Sequence, residues 1–107
     1  MLVRDFSETV QERIQEDHEF AIALFNEAAS LLLNGEPETA RLVLRDLVNG
    51  TIGFETLAEM TGRPSKSLHR MLSAKGNPTM DNFTLIFKIL RENLNLEVSV
   101  QTVSTAS

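Results

Sequence analysis

Glycine-bearing breaks at Asn34-Gly35, Asn49-Gly50, Gly62 and Gly76-Asn77-Pro78 cut the chain into segments of about a dozen residues whose apolar side chains recur at helical spacing. Such segments can bury their apolar surface only by packing against one another. The expected class is therefore all-α, a bundle of short helices with tight connections.

Asp5 and Glu8 stand at capping-box spacing, and Phe6, Val10 and Ile14 follow every four residues as a narrow apolar stripe. We expect that stripe to pack within the chain, because exposed apolar stripes are costly in a free protein. A second helix is expected from about Asp17 to Leu33, apolar around nearly its whole circumference and so buried on several sides or at an interface. Its apolar run from Phe20 to Leu33 is shorter than the roughly 20 residues of a membrane crossing, and acids flank it.

Pro37 between Glu36 and Glu38 suits the first turn of a third helix, with Ala40, Val43, Leu44, Leu47 and Val48 inward and Asn49-Gly50 as its stop. Phe54 to Thr61 and Pro64 to Ser73 read as two short helices joined at Gly62. Thr79 then caps a last helix carrying Phe83, Ile86, Phe87 and Leu90. From Leu94 to Gln101 the pattern changes to strict alternation, the period of a half-buried strand. No other segment offers it a partner, so it is expected to pair with the same segment of a second copy, or else with another protein's sheet edge.

Residues 57–72, LAEMTGRPSKSLHRML, show what the central pair of helices is for. Ala58 is small enough for a second helix to cross it, and Gly62 accepts the positive φ of a tight turn. At 100 degrees per residue Leu68, Met71 and Leu72 share an arc of roughly 100 degrees. Ser65, Lys66, His69, Arg70 and Ser73 fall on the opposite side, with no acid among them. An α-helix fits the DNA major groove, where Lys and Arg donate to guanine and Ser bonds to either kind of pair. Lys75, Asn77 and the helix start at Thr79 supply a second expected contact, to phosphate.

The strings FETLAEMTGRPSKSLHRML and SAKGNPTMDNFTLIFKIL together resemble the Xre-type, lambda-repressor-like helix-turn-helix domain, and more closely the HigA-type antitoxins of addiction modules, over about residues 38–92. The resemblance implies a small cytoplasmic DNA-binding protein that dimerises on an inverted-repeat operator, represses its own operon and neutralises a basic RelE/HigB-like ribonuclease toxin. An alternative within the same family is a stand-alone Xre-type repressor. The family's DNA-contacting positions fall here on Ser65, Lys66, Ser67, His69 and Arg70. Two positions depart from the pattern. Phe54 stands where a polar phosphate-contacting residue is common, and Arg63 stands at a turn position that is commonly apolar, where it adds an expected phosphate contact.

Charge is distributed to match two partners. The net charge is −5, yet residues 1–40 hold two basic residues against nine acids, and residues 63–91 hold six basic residues against Asp81 alone. The first half suits a basic protein and the second a nucleic acid. The expected organisation is one helical domain over residues 1–101: acidic N-terminal helices (1–35), a helix-turn-helix core (36–93) and a strand-like dimerisation segment (94–101). A disordered tail (102–107) follows.

Enzymatic chemistry is not indicated. The chain has no cysteine and only two histidines, His18 among acids and His69 on the outer face. No nucleophile elbow, phosphate-binding glycine loop or paired-histidine metal motif occurs. Neither a cofactor, nor a metal, nor a membrane is expected as a partner, and the absence of a basic-then-apolar leader pattern suits a cytoplasmic protein.

Overall fold

Every connection carries a residue matched to it, and six helices result among the described residues. The structure, a computed structural model, describes residues 6–106, so the capping box expected from Asp5 lies outside the described residues. The helices are α1 (Phe6–Glu16), α2 (His18–Leu33), α3 (Pro37–Gly50), α4 (Gly53–Thr61), α5 (Ser65–Met71) and α6 (Met80–Asn93). The all-α class holds.

Asp17 alone separates α1 from α2. Its Oδ1 accepts the Phe20 N–H at 3.2 Å, and its carboxylate lies 3.9 Å from Arg13, whose guanidinium sits 4.2 Å from the Phe20 ring centroid. The cap thus satisfies an orphan amide and fixes the angle between the two helices. At the other end of α2, Gly35 takes φ 86° while the Gly35 and Glu36 N–H groups donate to Leu32 and Leu31. This is the Schellman arrangement, which closes a helix on its own last carbonyls.

α3 lies at the centre, with Ala40, Leu44, Leu47 and Val48 wholly buried. Both α1 and α2 pack on it, and α4 follows on its C-terminal side. Leu57 of α4, Leu68 of α5, and Ile86 and Leu90 of α6 join the same cluster, together with Leu72 just past α5. One contiguous core therefore draws on all six helices.

The two N-terminal expectations hold only in part. Ile14 is buried and Val10 half-buried, but Phe6 remains 79% exposed, because the stripe overruns the end of the surface it packs on. In α2 only Ala21, Phe25 and Ala28 are buried; Leu33 is 70% exposed. Phe25 meets the edge of Phe87 at 5.6 Å between centroids, and beyond that contact the apolar side of α2 opens into a groove.

That groove, about 310 Å³ in volume, is lined by Phe25, Ala29 and Leu32 of α2, Phe87 and Lys88 of α6, and Val98. An all-round apolar helix has more surface than its neighbours in one chain cover.

The expected strand begins too early. Leu94 is buried as the C-cap of α6, Asn95 adopts φ 59°, and the Asn95 and Leu96 N–H groups donate to Glu92 and Arg91 at 3.1 and 3.0 Å. The first apolar alternation, Leu94 and Leu96, is therefore the hydrophobic closure of a helix. Among the described residues there is no strand: residues 97–106 have no regular secondary structure, since a lone strand in its own chain has nothing to bond to.

Gly50 lies where α3 meets Ile14 of α1. A Cβ there would lie 2.9 Å from both Cβ and Cγ2 of Ile14. Alanine usually stabilises a helix over glycine by up to about 1 kcal/mol, but overpacking against a β-branched side chain costs about 1–3 kcal/mol. Gly50→Ala is therefore expected to lower the unfolding free energy, measured by urea denaturation, by about 1 kcal/mol or more.

Candidate nucleic-acid interface

The turn between α4 and α5 is built by Gly62 and Thr61. Gly62 takes φ 69°, the left-handed C-cap, and its N–H donates to Ala58 at 2.9 Å. The Thr61 hydroxyl donates back to the Leu57 carbonyl at 2.8 Å and accepts the Arg63 N–H at 3.3 Å. Extended Pro64 then caps α5, so the helix starts at Ser65 and ends at Met71, one residue inside the expected start and two inside the expected end.

The inward ridge of α5 is as the periodicity predicts. Leu68 and Leu72 are buried and Met71 half-buried against the core. Lys66, His69 and Arg70 are exposed on the other side, with Ser65 and Ser67 half-buried. Among the described residues the side chains of Arg63, Lys66, Arg70 and Lys75 make no hydrogen bond or ion pair. Four cations are thus left to solvent or to an anionic partner.

Other predicted positions are already engaged. Ser73 donates its hydroxyl to the Arg70 carbonyl at 2.8 Å, which ties it to the end of its own helix. Thr79 accepts the Asn82 N–H at 3.1 Å as the N-cap of α6, and so sets the start of that helix. Asn77 is exposed beside it. His69 is exposed, but its ring stacks on Phe54 with centroids 3.8 Å apart and planes at 19°. Phe54 is a 5% exposed core residue.

The basic balance of residues 63–91 divides between two places. Lys88 and Arg91 line the groove against α2, and Arg91 donates to the Leu96 carbonyl at 2.8 Å, so neither adds to the α5 surface. Net charge over a sequence window cannot separate the sides of one helix from another.

Sequence reasoning missed Arg41. From α3 it donates Nε to the Ser73 carbonyl at 3.0 Å and Nη2 to the Ala74 carbonyl at 2.7 Å, clamping the loop after α5. The loop is tightened further at Gly76, whose N–H donates to Ser73 at 3.1 Å and where a Cβ would overlap the Arg70 and Met71 carbonyl oxygens. An arginine 32 positions earlier in the chain gives no local signal of this contact. Among the described residues no group of three His, Asp or Glu side chains is placed to hold a metal ion.

Charge-assisted bonds from a partly exposed arginine contribute about 1 kcal/mol. Arg41→Met is expected to accelerate amide hydrogen exchange at Gly76 about fivefold or more, while amides in α2 keep their protection. Comparison with known proteins finds no matching family model, no matching curated protein and no matching solved structure for this chain.

Proposed function

We propose that α4 and α5 form a helix-turn-helix in which α5 enters the DNA major groove, making the chain a sequence-specific transcriptional regulator. The observation that carries this reading is the row of exposed, unpaired cations, Lys66 and Arg70 with Arg63 and Lys75 at its two ends, on a helix whose other side is anchored by Leu68 and Leu72. Lys66, Arg70, Ser65, Ser67 and His69 face base edges, and Arg63, Lys75, Asn77 and the Thr79 helix start hold phosphates.

The protein acts as a homodimer, with two α5 helices about 34 Å apart on one face of an inverted repeat. Residues 97–103 support this, because among the described residues their backbone groups have no backbone partner while Val98 and Val100 are exposed. Antiparallel pairing with the same segment of a second copy supplies those bonds. A chain ending at Leu96 is expected to sediment as a monomer where the full chain sediments as a dimer.

The N-terminal half binds a basic RelE/HigB-like ribonuclease toxin, which makes the protein the antitoxin of a type II module. Glu8, Glu16 and Glu19 are exposed, as is Phe6, an apolar side chain next to that acidic surface. Copurification with the product of an adjacent short basic reading frame tests this part; a lone reading frame would favour a stand-alone repressor.

Charge reversal tests the DNA reading. Lys66→Glu combined with Arg70→Glu is expected to weaken operator binding at least about a hundredfold at fixed salt. In the wild type, log affinity should fall with log salt at a slope of about −0.9 per phosphate neutralised. Unchanged affinity in the double variant, or a flat salt dependence, would sink the reading.

A further inference from the structure

An exposed imidazole on a seven-residue helix would ordinarily sample several rotamers, and a hydrogen bond from it would carry the entropy of fixing one of them. His69 is exposed but lies flat on Phe54, 3.8 Å between centroids and 19° between planes. Phe54 is itself held in the core, 5% exposed, in the first turn of α4 next to Gly53, whose φ of 80° sets the direction in which that turn begins. The imidazole therefore lies flat on a ring that the core holds in place.

Imidazole makes its hydrogen bonds in the plane of the ring, with one nitrogen donating and the other accepting in the neutral form. A fixed plane means a fixed direction for that donor. Lys66 and Arg70 flank it on the same helix side as long, flexible side chains that supply charge with little directional restraint.

We propose that Phe54 is a positioning residue that holds His69 edge-on to the major groove, where its N–H donates to a purine N7, making the pair a specificity determinant at one base pair. The inference rests on the DNA-binding role proposed above and deepens it. N7 is an acceptor on guanine and adenine alike, and no pyrimidine offers it in the same place, so the pair distinguishes purine from pyrimidine on one strand. Phe54 touches no base; it acts only through His69.

The test uses the full chain and duplexes selected from a random library by the wild type. Affinities of the wild type, Phe54→Leu, His69→Ala and the double variant are measured at one salt concentration. The targets are the selected operator, each single base-pair change in it, and unselected DNA. Phe54→Leu keeps an apolar side chain in the core but removes the ring. It is expected to weaken operator binding about three- to tenfold and to erase the purine preference at the same base pair as His69→Ala. The double variant should be no weaker than His69→Ala alone, because the two residues act as one unit. Affinity for unselected DNA should fall less than affinity for the selected operator in each of the three variants.

Multiplying effects of the two single variants, or an intact purine preference in either, would overturn the inference while leaving salt-dependent DNA binding in place. A wild type that selects no sequence and binds without salt dependence would overturn the DNA-binding role and this inference with it. Should Phe54→Leu fail to fold, judged by circular dichroism, His69→Ala still decides: it removes only an exposed side chain, and a selected operator unchanged at every position would rule the inference out.

Discussion

The burial of Leu68 and Leu72 is the constraint on which the rest of the molecule depends. Seven residues are too few to hold an α-helix in water, since nucleation is unfavourable and propagation too short to repay it. The outward side of α5, with Ser65, Lys66, His69 and Arg70, is too polar to help. The helix exists because its two leucines complete a core begun by Leu44, Leu47 and Leu57 and closed by Ile86 and Leu90. Its ends are then set from outside, by Gly62 before it and by the Arg41 clamp after it. Order on the polar side is thus borrowed from packing on the apolar one.

The same logic separates the acidic and basic parts. α1 and α2 pack on α3, whereas α5 packs on α4. The acidic surplus of α1 and α2 and the acid-free basic side of α5 therefore stand on different helices, and exposed pairs between them would have contributed little to stability in any case. In the function proposed above they steer partners, an effect that acts over about 8–10 Å at ordinary ionic strength.

Much of the fold was legible in the chain because its signals are local. Asn34-Gly35, Pro37, Gly62 and Thr79 stop and start helices through their own backbone and side-chain chemistry, and the helix bounds follow them closely. The inward ridge Leu68, Met71, Leu72 follows from periodicity alone. What was not legible depends on contacts between distant residues. Arg41 reaches Ser73 and Ala74, Phe54 lies under His69, and Phe25 meets Phe87 only once the chain has folded. The alternation from Leu94 onward misled for a different reason: Leu94 and Leu96 satisfy a period of two, but the same two leucines also satisfy the closing contact of a helix that ends at Asn93. Periodicity over so few residues does not choose between them.

The close approach at Gly76 has a consequence for how such a protein can diversify. No side chain fits between that residue and the carbonyls ending α5, so sterics fix the path of the loop together with the Arg41 clamp. Lys75 and Asn77 on either side are exposed and carry no packing duty. The loop thus combines a tightly held backbone with two exposed tips. Replacing those tips would alter what the loop touches without moving the helices it joins, a route by which descendants of this chain could acquire new targets at almost no cost in stability.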